Sequence, residues 1–147
     1  MRMALHEAQL ALIHDDVPVG AIAVRDGVVI GRGHNRREAD ADPTAHAEMI
    51  AIRQAASFIG HWRLAGVTLY CTLEPCCMCA GAMVLARLPR LVYATIDIRA
   101  GCAGSIADLL RHPELNHQVE VIPGVLPEPC GRVLTEFFAR QRAQGKK

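Results

Sequence analysis

Two short stretches hold most of the residues able to do chemistry: "DPTAHAE" at 42–48 and "EPCCMC" at 74–79. The first carries His46 and Glu48; the second carries Cys76, Cys77 and Cys79, three of the chain's six cysteines. Each contains a proline, Pro43 or Pro75, that fits the first turn of a helix, where a missing N–H costs nothing. At 3.6 residues per turn Cys76 and Cys79 share a helix face, whereas Cys77 lies about 100° around from Cys76 and is expected to fill the core. A helix N-terminus favours the thiolate, the form that binds metal, and Cys76 is best placed to benefit.

His46 and Glu48 are two apart, and on a regular helix they would point about 200° away from each other. Both can serve one site only near a helix end. His46 with Cys76 and Cys79 makes three N/S ligands, which for Zn²⁺ leaves one tetrahedral position for water and indicates catalysis over a structural role. Glu48, aimed at that water, would take its proton and pass it to a substrate. Rival readings stand beside this one. A Cys-x-x-Cys after a strand fits a thioredoxin-like redox pair as well as a metal pair. A structural zinc site could recruit Cys71, Cys102 or Cys130 as a fourth ligand. The combination of His-x-Glu with Cys-x-x-Cys, each at a helix start, gives the metal reading its specificity.

The elements that must position these residues can be read from hydrophobic period and turn chemistry. "MRMALHEAQLALIHDD" has apolar residues at helical spacing. Two β-branched runs, near 19–24 and 28–34, flank Asp26-Gly27, a hairpin signal. A helix is expected from Pro43 to about Phe58, a buried strand at 67–73, and a helix from Pro75 to Leu88. Then follow a strand at 90–96, a short helix at 105–110, a strand near 119–122 and a closing helix from about Pro127. Strands alternating with helices after a hairpin imply an α/β fold whose mixed sheet has helices on both faces.

At 147 residues, about half of them apolar, residues 1–147 are the size of one domain. A formal net charge of +1 argues against non-specific coating of nucleic acid and names no partner. His6, Glu7 and Gln9 interrupt the opening apolar stretch, which therefore lacks the continuous run of a secretory signal, and no membrane span is expected. A cytoplasmic protein is the resulting expectation, and in that reducing compartment disulfides are disfavoured.

The signature His-x-Glu followed by Pro-Cys-x-x-Cys, present as "HAE" and "PCCMC", resembles that of the zinc-dependent nucleobase deaminases, a known pattern recognised separately from the spacing argument. "VPVGAI" (17–22), "TLYCTLEPCCMCAGAM" (68–83), "GCAGS" (101–105), "HPELNH" (112–117) and "FF" (137–138) are similar, more closely, to the bacterial tRNA-specific adenosine deaminases. The resemblance implies a cytidine-deaminase-like three-layer α/β/α fold with a five-stranded mixed sheet, a homodimer, and one Zn²⁺ per subunit. It implies conversion of the wobble adenosine of a tRNA anticodon stem-loop to inosine, with DNA not expected as a partner. In that picture His46, Cys76 and Cys79 hold zinc, its hydroxide attacks carbon 6 of adenine, and Glu48 shuttles protons.

The same resemblance assigns substrate contacts to Asn35, Ala47, Asp97 and Phe138. Adjacent aromatics cannot share a helix face, so one of Phe137 and Phe138 is expected in the core, with Phe138 on the RNA side. His34 is expected to line the pocket. Arg36, Arg37 and the cations after Gly131 (Arg132, Arg140, Arg142, Lys146, Lys147) could follow phosphates. Arg99 stands where the family often has lysine, and family members usually begin some residues earlier, so the first helix should be short. Two rival functions use the same residues: deamination of a free base or nucleoside such as guanine or cytidine, and RNA binding by a zinc-stabilised module without catalysis.

Overall fold

The β-branched runs around Asp26-Gly27 form the expected hairpin: β1 (Gly20–Arg25) and β2 (Val28–His34) pair antiparallel, with Arg25 opposite Val28. Asp26 and Gly27 both take positive φ (51° and 75°), the backbone a tight two-residue turn requires. The register shifts between Ala23 and Val24, a bulge that adds local twist. The structure, a computed structural model, describes residues 1–146.

β3 (Val67–Leu73) adds antiparallel to β1, and β4 (Arg90–Thr95) and β5 (Glu120–Ile122) continue parallel, giving one five-stranded mixed sheet in the order β2-β1-β3-β4-β5. Four helices cover it. α1 (Arg2–Ala11) lies against β1 and touches α4 (Pro127–Ala143), which lies against β4. On the other face α2 (Ala47–Ile59) lies against β2 and contacts α3 (Cys77–Leu85). Glycines permit the close approach on both faces. A Cβ on Gly20 would collide with the α1 backbone at Ala4, and one on Gly33 with the α2 backbone at Ala47. The main core lies between the sheet and α2 and α3, built from Ala51, Ala55, Leu69, Cys71, Ala80, Met83 and Leu91, all fully buried.

Two helix starts fall later than expected. α2 begins at Ala47 and α3 at Cys77, so Pro43 and Pro75 precede the helices they were expected to open. Asp42 accepts hydrogen bonds from the Thr44 N–H (2.8 Å) and hydroxyl (2.7 Å), a side-chain turn that keeps the chain non-helical to His46. Cys76 instead forms an extended bridge to Gly101. α3 stops at Leu85, and Arg87 takes a left-handed φ of 56°. The short helix expected at 105–110 does not form. There the backbone bonds elsewhere: Ser105 N–H goes to Glu74, Ile106 N–H to Gly101, and Leu109 N–H to Cys102.

Candidate active site

Because the helices start late, His46 and Cys76 are both N-cap residues with extended backbone (φ −77°, ψ 150° and φ −72°, ψ 174°). This resolves the two-residue puzzle. His46 stands outside the helical rotation, so its ring and the Glu48 side chain, two positions into α2, can face one point. Cys79 occupies the third position of α3, where a side chain meets that of the N-cap. Cys77, at the first position, turns outward and is exposed; the expectation that it fills the core fails because the helix begins one residue after Cys76.

His46 Nδ1 lies 3.6 Å from both the Cys76 and Cys79 Sγ atoms. Zn–N bonds of about 2.0–2.1 Å and Zn–S bonds of about 2.3 Å in tetrahedral arrangement place N and S about 3.5 Å apart. The donor set therefore fits zinc in both chemistry and spacing. Among the described residues this is the one group of three or more His, Cys, Asp or Glu donors clustered for a metal, and Cys71, Cys102 and Cys130 are not in it. All six cysteines are free.

Electrostatics already prepare the ligands. A hydrogen bond from the Cys79 thiol, aided by one from His46, holds Cys76 down at about 4, a thiolate at neutral pH. Donating that bond, together with burial, pushes Cys79 up. The Cys76 bond raises His46. Glu48 is 4 % exposed, and burial drives its carboxyl up to about 7, the range in which a group both takes and gives protons. A cavity of about 200 Å³ opens beside it, lined by His46, Ala47, Glu48, Cys76 and, across from them, Asn35 and Asp97. It is smaller than pockets for drug-sized ligands, about 300–1,000 Å³, and so takes one small ring system.

The cavity leads into an apolar groove of about 610 Å³ that shares Val17, Leu73 and Asp97 with it and runs past Ile98, Arg99, Phe138 and Arg142. Phe137 is 5 % exposed and Phe138 is 44 % exposed, so one aromatic is core and the other faces the groove. Asp97 stands at the junction, its Oδ1 accepting the N–H groups of Arg99 (2.9 Å) and Ala100 (3.2 Å). His34 does not line the cavity. Strand alternation turns it to the α1 face, where its Nδ1 lies 3.2 Å from the Glu7 carboxylate. Arg37 reaches the cavity wall; Arg36 is committed to Asp40 at 2.7 Å. His117 Nε2 donates to the Leu88 carbonyl at 2.7 Å, tying its loop to the turn before β4, and His112 Nδ1 accepts the Glu114 N–H within its own loop.

Two buried carboxylates escaped sequence reasoning. Asp16, 1 % exposed, accepts the N–H groups of Glu38 (2.9 Å) and Ala39 (3.0 Å) and sits 3.4 Å from the Asn35 amide nitrogen, fixing one wall of the cavity. Glu74 does the same for the opposite wall; burial pushes its carboxyl up, but bonds from Ser105, Asp97 and Ala103 together hold it below its ordinary value. Neither has a periodic or ligand-like spacing, since their partners are backbone amides of distant loops.

A cytidine-deaminase-like sheet carrying a His-Cys-Cys group and a buried glutamate in one pocket defines a deaminase of nucleobases. Residues 1–142 match the MafB19-like deaminase family. A tRNA-specific adenosine deaminase of Bacillus subtilis is 47 % identical over 146 residues, covering 99 % of this chain and 91 % of that protein. A structure from a study of A-to-I editing by tRNA:A34 deaminases at the wobble position aligns with TM-score 0.88 and 42 % identity, over 91 % of this chain and 97 % of that one. A guanine deaminase of Bacillus subtilis aligns with TM-score 0.63 and 32 % identity, over 99 % of this chain and 94 % of that one. The chain belongs to the MafB19-like deaminase family and groups within it with the tRNA-specific adenosine deaminases.

Proposed function

We propose that this chain, a single deaminase domain over residues 1–147, converts the wobble adenosine of a tRNA anticodon to inosine, with Glu48 as proton carrier and zinc held by His46, Cys76 and Cys79. The observation that supports it most is the convergence of His46 Nδ1 and the two thiols at 3.6 Å beside buried Glu48. Zinc bound there would lower the pKa of a water towards neutrality and so supply the nucleophile. Glu48 accepts the proton that this water gives up and delivers it to the adenine ring nitrogen. It then takes the second proton, from the oxygen newly bonded to C6, and hands it to the amino group as the C6–N bond breaks, so that water is consumed and ammonia leaves.

Asn35 and Ala47 line the base cavity, Asp97 marks its mouth, and Phe138 offers an aromatic face in the groove for a flanking base, a stack worth about 1–3 kcal/mol. An anticodon loop suits such a cavity because its bases leave the stack at lower cost than those of a duplex. The exposed Phe58 and Trp62 near the end of α2 and Leu85 of α3 support a homodimer through that layer. A tRNA substrate supports a cytoplasmic setting; among the described residues no helix is long and apolar enough to cross a membrane.

The guanine deaminase likeness favours a second reading, deamination of a free base. One assay separates them: zinc-loaded protein with an anticodon stem-loop bearing a wobble adenosine, run beside free adenosine, guanine and cytidine. Inosine from the stem-loop alone is the expected result. Turnover of guanine without the stem-loop would transfer the assignment to the second reading.

A further inference from the structure

We propose that Glu74 is a positioning residue of the base pocket, its buried carboxylate setting segment 97–105 as the wall that grips substrate. What enters the pocket rests on the deaminase reading above; the clamp itself rests on geometry. Glu74 is 2 % exposed and uses both oxygens. Oε1 accepts the N–H groups of Ala103 (3.0 Å) and Ser105 (3.1 Å), and Oε2 accepts the Asp97 N–H (3.0 Å) and the Ser105 hydroxyl (2.5 Å). One side chain thereby ties both ends of the segment to the end of β3. Asp97 of the cavity is itself an anchor, and Ala100 of the cavity and Arg99 of the groove lie between it and Ala103.

Gly101 supplies the matching surface. It bridges to Cys76 while the Cys102 N–H donates to the Pro75 carbonyl at 2.8 Å, so the segment lies directly on the strand-to-helix turn. A Cβ on Gly101 would collide with the Glu74 carboxylate and the Asp97 carbonyl. Glutamine cannot replace Glu74: its amide has one acceptor oxygen, and its NH₂ would face N–H donors. Of the three proposed ligands His46 and Cys79 are held by α2 and α3, whereas Cys76 is bridged to Gly101, so Glu74→Gln, which leaves that glycine in place, is the variant in which metal retention and substrate grip should separate.

The test compares wild-type, Glu74→Gln, Gly101→Ala and Ser105→Ala proteins, zinc-loaded and full-length. Amide hydrogen exchange reports the segment, metal analysis reports zinc, and kinetics on the stem-loop report KM against kcat. Both Glu74→Gln and Gly101→Ala are expected to speed exchange at Asp97, Ala103 and Ser105 about tenfold or more while α3 stays protected. In Glu74→Gln zinc stays bound, KM rises about tenfold, and kcat falls less. Ser105→Ala, which loses only the hydroxyl bond and keeps the three backbone N–H bonds to Glu74, falls between wild type and Glu74→Gln and carries the test should Glu74→Gln not fold. Unchanged exchange, or loss of zinc and kcat with KM unmoved, overturns the proposal. Should the wild type turn over guanine and not the stem-loop, the substrate reading fails by itself; exchange then decides the clamp and KM is read on guanine.

Discussion

Glu48 is a carboxyl that the fold prevents from ionising at low cost, and this makes two outcomes predictable. If Glu48 carries protons as proposed, Glu48→Gln keeps the shape and removes that carrier, so turnover should drop by about 10²–10⁴-fold while the zinc content of the zinc-loaded protein matches the wild type; a variant that remained active would remove Glu48 from the mechanism. The second outcome concerns stability. Burial lifts Glu48 from 4.5 to about 7, so between those values the folded state binds more protons than the unfolded one. Stability of the metal-stripped protein should therefore fall as pH rises through that window, with the whole penalty present above about 7. Urea titrations of metal-stripped wild type and Glu48→Gln should diverge by on the order of 2–3 kcal/mol between pH 5 and 8, the wild type losing ground. A parallel pair of curves would mean that the carboxyl is solvated. These residues were legible in the sequence because ligand chemistry has few spacings: His46, Glu48, Cys76 and Cys79 meet where their types predicted. Cys77 was misread because one residue of helix phase decides whether a side chain faces core or water.

At the scale of elements, hydrophobic alternation located β3 at 67–73 and the hairpin at Asp26-Gly27, since both signals are local. The α3 start and the absent helix at 105–110 depend on distant contacts. Glu74 takes the Ser105 N–H from some thirty positions away, which nothing in a window of sequence reports, whereas the Asp42–Thr44 turn before α2 is local and outweighs the helix-start signal of Pro43. The glycines of "GRG" carry a further local signal: glycine inside a strand marks a close backbone approach. Gly33 faces the α2 backbone at Ala47, between His46 and Glu48, and Gly31 faces it one turn later at Ala51. Adding a methyl at either position should cost about 1–3 kcal/mol by overpacking, read as a lower Tm. Only Gly33→Ala moves the end of α2 that bears the site, and a shift of about 1 Å there can cost about 10²-fold in kcat. An unchanged kcat in Gly33→Ala, with its Tm lowered, would show that the site tolerates movement of α2.

At the scale of the molecule the near-zero net charge leaves RNA attraction to local clusters, and α4 bears one of them. Its basic end is partly committed: Asp15, at the turn after α1, lies 2.6 Å from Lys146 and 3.5 Å from Arg140, and accepts the Gln141 amide at 2.8 Å. These contacts are at the surface, where such pairs contribute little to stability and rearrange readily when a phosphate competes. Arg142 lines the groove beside Phe138, on the path of a strand leaving the base cavity, whereas Lys147 lies outside the described residues. Removing the residues after Arg140 takes away Arg142, Lys146 and Lys147 while sparing Phe138. If all three face phosphate, the slope of log affinity against log salt for a stem-loop should flatten by about 2, at roughly 0.7 per contact for single-stranded RNA. A Phe138→Ala protein should behave in the opposite way, weakening binding by about 1–3 kcal/mol at every salt concentration with the slope intact. Filter binding across a salt series separates the two contributions. A truncated protein with an unchanged slope would assign the tail to Asp15 and leave the phosphate contacts to Arg37 and Arg99.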